Sequence, residues 1–296
     1  MDRRMLMAKI LEIKNLTKYY GKILGVKNLS LTLNEGEIFG FIGPNGAGKS
    51  TTIRAVMNLI NKTSGTILFY NKELTQDNVS LKKLIGYLPS EIHLYDDLTV
   101  KKMLDYHESF YTKDIHKRRK ELVKRFKLNE DKKIEELSLG NLKKLGIVLA
   151  FMHEPKLLIL DEPTSGLDPI MQQVFNDLLK EEKAKGTTIF YSTHILSEIS
   201  KICDRVGIIK DSKLLKVETI EELQKKNLNL VSIESKDISK IKKDLNIQVI
   251  NEDKKSIKFK NNLPIDRLIK TLTKYQIDKL LIEEATLKDI FLHYYK

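Results

Sequence analysis

The chain has 296 residues, enough for one large domain plus a small one or for two of medium size. Its hydrophobic content of 41% and charged content of 31% are those of a soluble globular protein, and its single cysteine, Cys203, excludes an internal disulfide framework and fits a reducing cytoplasm. The formal net charge of +12 comes from lysines scattered along the chain, the pattern of a solvated surface rather than of a nucleic-acid-binding tract. The apolar run Ile147 to Met152 falls far short of the roughly 18–20 residues a membrane span needs. The opening "MDRRMLMAKI" has no apolar core and no small-residue cleavage site, so it is not expected to act as a secretion signal.

In chain order, "ILEIKNLTKYY" and "NLSLTLN" alternate apolar and polar residues and predict strands of a half-exposed sheet. "EIFGFIG" is continuously apolar and predicts a buried strand, running into a glycine-rich turn and a helix from near Gly48. Residues from about 99 to 128 read as helices, with a charged face in "DIHKRRKELVKRF". "LLILDEP" and "TTIFYSTH" predict two more buried strands around the helix "PIMQQVFNDLLKEEKAK", with Gly186 as its C-terminal cap. "RVGIIKDSKLLKV" reads as a closing hairpin. After about residue 218 come a linking helix and then strand, helix, strand, strand, helix, strand, helix, whose first six members match the split βαββαβ pattern. The absence of a low-complexity linker leads us to expect two parts that pack closely.

"GPNGAGKS" fits G-x-x-x-x-G-K-[ST] without deviation, between an apolar strand and a helix. In such a loop Gly43, Pro44, Asn45, Gly46, Ala47 and Gly48 curl backbone N–H groups around a phosphate chain. The helix N-terminus adds positive potential, Lys49 reaches the β- and γ-phosphates, and the Ser50 hydroxyl, with Thr51 beside it, can ligate Mg²⁺. "LLILDEP" ends in adjacent carboxylates, which are costly at the end of an apolar strand unless cations face them. Asp161 is placed to hold Mg²⁺ through its water shell, and Glu162 to act as general base on the attacking water. In "EELSLGNLKK", Ser138 is set to cap a helix about twenty residues before those carboxylates, and a helix start is itself an anion site.

Together these motifs resemble the nucleotide-binding subunit of an ABC transporter over about residues 9–218. The resemblance implies a P-loop α/β ATPase core with a mixed sheet, residues 1–218, and a helical subdomain at about 91–153. Residues 219–296 are expected to form a small α+β, ferredoxin-like accessory domain, either an aid to dimerisation or a passive cap. In that family two subunits close head to tail on two ATP molecules, so Ser138 and Gly140 would face the γ-phosphate held by a second subunit. By the same resemblance Tyr20, with Tyr19 as fallback, stacks on adenine, and "SGLD", Ser165 to Asp168, links the two ATP sites. His194, ending "YSTH", becomes a switch histidine for the γ-phosphate.

The sequence departs from the family at three positions. In the family's signature turn, usually Leu-Ser-Gly-Gly-Gln and here Leu137 to Asn141, Leu139 replaces a Gly and Asn141 a Gln, and Ser90 stands where a Gln usually contacts Mg²⁺ and the attacking water. Ser90 is too short for that contact, leaving Glu91 or a bridging water. The expected protein is an ATPase on the cytoplasmic face of the membrane that powers a separate permease, docked on the helical region after Ser90, as a homodimer or heterodimer. The C-terminal tail and "LPSEIHLYDDLT" resemble drug, antibiotic and sodium exporters. Soluble ribosome- or DNA-acting ATPases of the family are the alternative, as is a regulatory partner with weak turnover; a single phosphate loop and no sustained heptads argue against the first.

Overall fold

The computed structural model describes residues 8–284 apart from 76, 226–228, 246, 254 and 262. It divides into two compact units, Met1–Ile220 and Glu221–Lys296. The final helix expected over "TLKDIFLHYY" lies outside the described residues.

The larger unit opens on a long antiparallel hairpin, β1 (Lys9–Tyr20) and β2 (Ile23–Asn34). Strand β3 (Ile38–Ile42) is buried along its whole length, as a continuous apolar run in a parallel sheet requires. Then come α1 (Lys49–Val56), β4 (Ser64–Phe69), β5 (Lys72–Glu73), the single turn α2 (Val79–Lys82) and β6 (Ile85–Leu88). A helical region follows, with α3 (Val100–Glu108), α4 (His116–Phe126) and α5 (Leu139–Phe151). The chain returns through β7 (Leu157–Asp161), α6 (Pro169–Ala184), β8 (Thr188–Thr193), α7 (Leu196–Ile202) and the hairpin β9 (Arg205–Lys210) and β10 (Lys213–Thr219).

These strands build two sheets. One has the order β10-β9-β3-β8-β7-β6, parallel apart from β10, and the other is the antiparallel β2-β1-β4-β5. The sequence pattern shows β3, β7, β8 and the β9–β10 hairpin of the first sheet, and β1 and β2 of the second. It does not show β4, β5 or β6, which are short and have no sustained alternation. Leu11, Leu29 and Phe69 of the antiparallel sheet join Phe41 and Phe190 of the parallel one in a single buried cluster, with Ile53 and Val56 of α1 between them. Burial of several such side chains, each worth about 1.5–3 kcal/mol, fixes α1 and the loop before it.

The helical region is tied to the rest of the unit by charge as well as packing. The Arg118 guanidinium of α4 donates to Glu182 of α6 at 2.5 Å, with both side chains buried. One stretch further along α4, Arg125 grips Glu181 through two bonds of 2.6 and 2.9 Å, the fork geometry that suits a carboxylate. Beyond α5, His153 is buried against the stacked ring of Tyr111, with its Nε2 3.3 Å from the Ile85 carbonyl. Cys203 is buried at the end of α7, against the backbone of Gly40, and burial holds its thiol pKa well above the ordinary value.

A short helix, α8 (Ile220–Lys225), leads into the second unit, which runs β11 (Asn229–Ser235), α9 (Ile238–Leu245), β12 (Gln248–Glu252), β13 (Ser256–Asn261), α10 (Ile265–Leu272) and β14 (Ile277–Glu284). Its sheet is fully antiparallel in the order β12-β13-β11-β14. Ile238, Ile241 and Leu245 recur at helical spacing on α9, as Leu268 and Leu272 do on α10. Both helices bury these faces against Val231, Ile233, Ile257 and Phe259, the one-sided packing of a ferredoxin-like domain.

Candidate nucleotide-binding site

Open α/β sheets bind ligands at the carboxyl ends of their parallel strands. Four such ends converge here: Gly43 follows β3, Glu162 follows β7, His194 follows β8, and Pro89 and Ser90 follow β6. Between them lies a cavity of about 540 Å³, open at a mouth that includes Tyr20 and Ile23.

The loop from Gly43 to Gly48 is held by close backbone approach. A Cβ at Gly43 would lie 2.3 Å from the Ile209 carbonyl, and one at Gly48 would lie 2.5 Å from the Gly25 carbonyl. Gly48 also has φ 106°, in the left-handed region that glycine enters without strain, and it begins α1. Lys49 is buried and its ammonium donates to the Gly43 carbonyl at 2.8 Å and the Pro44 carbonyl at 3.2 Å. It also stands 3.6 Å from Glu162 Oε1.

Glu162 occupies an unusual backbone state. Its φ is 47°, a conformation that costs a non-glycine residue of order 1 kcal/mol, and its N–H is held by the Ser192 carbonyl at 3.0 Å. This turn swings the carboxylate out of the strand line, so that Oε2 meets His194 Nδ1 at 2.9 Å while Oε1 faces Lys49. Asp161, one residue earlier, is 1% exposed, and its Oδ1 has no protein partner. Tyr87 of β6 feels that carboxylate: burial, then the charge of Asp161, push its phenol up to about 12.

The cavity gathers Tyr20, Asn45, Gly46, Gly48, Lys49, Ser50, Thr51, Glu162 and His194 from the sequence reading. Gly43, Pro44, Ala47 and Asp161 back it without lining it. Ser138, Gly140 and Asp168 lie elsewhere. Ser138 caps α5 by accepting from the Asn141 N–H at 3.4 Å, and Asp168 caps α6 by accepting from the Met171 N–H at 2.9 Å. A Cβ at Gly140 would sit 2.9 Å from the Gly166 carbonyl, so the signature turn and the 165–168 loop touch within one chain. Tyr20 is 43% exposed beneath the Lys18 ammonium.

Ser90 and Glu91 both line the cavity, as does Ser165. Sequence reasoning missed Gly25 and Leu24 at the mouth, which no motif marks. It also missed Glu198, whose carboxylate accepts the hydroxyls of Thr164 at 2.5 Å, Tyr191 at 3.0 Å and Thr193 at 2.7 Å, bracing the turns that carry Glu162 and His194. The place of Glu198 in the first turn of α7, four residues past His194 in "STHILSE", was the available signal.

A strand, phosphate loop and helix facing a glutamate and a histidine define a P-loop ATPase. The ABC transporter family model matches residues 26–165. The ABC transporter ATP-binding protein YtrB of Bacillus subtilis is 33% identical over 244 residues, covering 82% of this chain and 83% of YtrB. The bacitracin transport ATP-binding protein BcrA of Bacillus licheniformis is 37% identical, with 79% and 78% covered. Among solved structures, an ATP-binding subunit of an ABC transporter superposes with a TM-score of 0.69 at 30% identity, over 73% of this chain and 92% of that one. The dimeric post-hydrolysis cassette MJ0796, bound to ADP and phosphate, gives 0.65 at 25% identity, over 71% and 99%. The chain belongs to the ABC transporter ATP-binding family, and it is an ATP-binding ATPase subunit that powers transport.

Proposed function

We propose that this chain hydrolyses ATP to drive export through a separate integral membrane permease, working as a pair of ATPase subunits on the cytoplasmic membrane face. The observation that carries the reading is the meeting of Lys49, Glu162 and His194 in one cavity at the carboxyl ends of β3, β7 and β8. Lys49 and the loop N–H groups offset phosphate charge. Glu162 takes a proton from the attacking water, and His194 holds that carboxylate in place and meets the γ-phosphate. Tyr20, exposed at the mouth, offers its ring face to the adenine.

The site's oxygens suit Mg²⁺. The Ser50 hydroxyl borders the cavity, and the buried, unpartnered Oδ1 of Asp161 is the kind of hard acceptor that a cation's water shell satisfies. When bound, the ion neutralises phosphate charge. Ser138 and Gly140, remote from their own chain's cavity, are left free to close on the ATP of a second subunit, with Asp168 in the adjoining loop; dimeric cassettes among the similar structures support this pairing.

Among the described residues no helix is long and apolar enough to cross a membrane, which supports a separate permease. Export is supported by relatives named for bacitracin transport, linearmycin resistance and lantibiotic transport. An antibiotic is the cargo class these names favour. The test is to trap the closed state with Glu162→Gln and MgATP, purify the tagged chain from gently solubilised cells, and identify its companions. Recovery of a polytopic membrane protein is expected; recovery of ribosomes or nucleic acid alone would overturn the transport reading.

A further inference from the structure

Helix α5 carries a buried charge that the chemistry above does not use. Lys143 is 3% exposed, and its ammonium donates to the Pro89 carbonyl at 3.2 Å and the Ser90 carbonyl at 3.0 Å. These residues form the exit from β6, and Ser90 and Glu91 then line the nucleotide cavity. One turn further along α5, a Cβ at Gly146 would lie 2.4 Å from the Ile92 side chain and 2.9 Å from that of Leu88. The helix and the β6 exit therefore interlock at two points, a charged hydrogen-bond pair and a close approach. Burial lowers the pKa of the Lys143 ammonium, opposed only in part by the carboxylates of Asp161 and Glu162, so holding a charge here has a cost.

A lysine here is a costly choice unless the bonds matter. A methionine of similar shape would pack in its place without a charge to desolvate, but would leave two half-buried carbonyls without this donor. The same helix begins at Ser138, the residue that the proposed function aims at a second subunit's ATP. We propose that Lys143 is a positioning residue that clamps the Pro89–Glu91 rim of the nucleotide cavity to α5, so that the rim and the Ser138 end of the helix move as one body. In this chain Ser90 reaches the site with a short side chain, and the clamp fixes that rim through the backbone instead. The proposal rests on the ATP-site reading for its functional meaning but not for its geometry.

The test compares wild type, Lys143→Met and Lys143→Gln in the full chain, by amide hydrogen exchange and by steady-state ATP hydrolysis. Losing both bonds should speed exchange over residues 90–92 by about tenfold, while residues 43–51 stay as in wild type. For Lys143→Met, kcat should fall about tenfold with KM for ATP changed less than about twofold, because positioning is lost rather than binding. Lys143→Gln keeps amide donors for both carbonyls and should recover at least about half of kcat. Unchanged exchange at 90–92 in Lys143→Met would overturn the clamp. Equal losses in the Met and Gln variants would overturn it too, since they would assign the effect to charge. Should Lys143→Met fail to fold, Lys143→Gln decides: rim exchange like wild type supports the clamp, and raised exchange overturns it. A wild-type chain without turnover would instead defeat the ATPase reading, and the exchange data would still judge the clamp.

Discussion

His153 should make this protein's stability fall in mild acid, although it lies outside the nucleotide cavity. The side chain is 7% exposed, stacked 4.6 Å from the Tyr111 ring, with His107 centred 5.7 Å away. Burial, then repulsion from His107, push its pKa down to about 4. In the unfolded chain the same imidazole titrates at its ordinary value near 6.5. Between those values the unfolded state binds more protons, so stability is full above about pH 6.5 and drops as pH falls toward 4. At pH 5 the unfolded ring is almost wholly protonated and the folded one almost wholly neutral. Linkage then gives a loss of about 2 kcal/mol relative to pH 7.5.

The assay is urea unfolding at pH 7.5 and 5.0, read on the transition of the larger unit, for wild type and His153→Phe. Phenylalanine keeps the stacking ring but cannot titrate. It should start about 1 kcal/mol less stable, because the bond to the Ile85 carbonyl is gone, and then lose much less on acidification. A remnant slope belongs to His107, whose pKa burial also lowers. Parallel losses in the two proteins would refute the assignment. The result bears on function, because an acid loss of ATPase activity would then report on the packing of the helical region.

Three further outcomes follow from the geometry. Gly43→Ala should abolish nucleotide binding, measured with a fluorescent ATP analogue, because its methyl carbon would fall 2.3 Å from the Ile209 carbonyl; near-normal affinity would mean that the loop can shift. Arg118→Ala should cost about 3–5 kcal/mol in unfolding by leaving Glu182 buried beside only Lys185 and Thr187, and pairing it with Glu182→Ala should restore part of that loss in a double-mutant cycle. Ser138→Ala should cost about 1 kcal/mol as a lost helix cap, and should also reduce ATP-induced dimerisation of the Glu162→Gln protein by size-exclusion chromatography; stability loss with unchanged dimerisation would confine Ser138 to capping.

Much of this fold could be read from the chain because its signals are local. The apolar runs of β3, β7 and β8, the glycine loop and the βαββαβ alternation each need only a few neighbouring residues to show themselves. The short strands could not be read in the same way. β5 of the antiparallel sheet has two residues and β6 at the edge of the parallel sheet four, and their pairing with β4 and β7, not their composition, makes them strands. At the site, adjacent acids ending an apolar strand marked Asp161 and Glu162, but nothing local foretold the left-handed turn that aims Glu162 at His194. Lys143 was equally hidden. In sequence it is one lysine of "NLKKLG", and only contacts 53 and 54 residues away reveal it as buried.

The enclosure of Cys203 has a practical consequence. The chain's only thiol is shut in and held in its protonated, unreactive form, so alkylating reagents should pass over the native protein. A cysteine placed at Leu139, which is 72% exposed in the signature turn, would then carry the one accessible thiol, since Cys203 is the chain's only natural cysteine and is buried. Paired spin labels there would turn ATP-driven closure of two subunits into a measurable change of distance, with no need to engineer a cysteine-free background first.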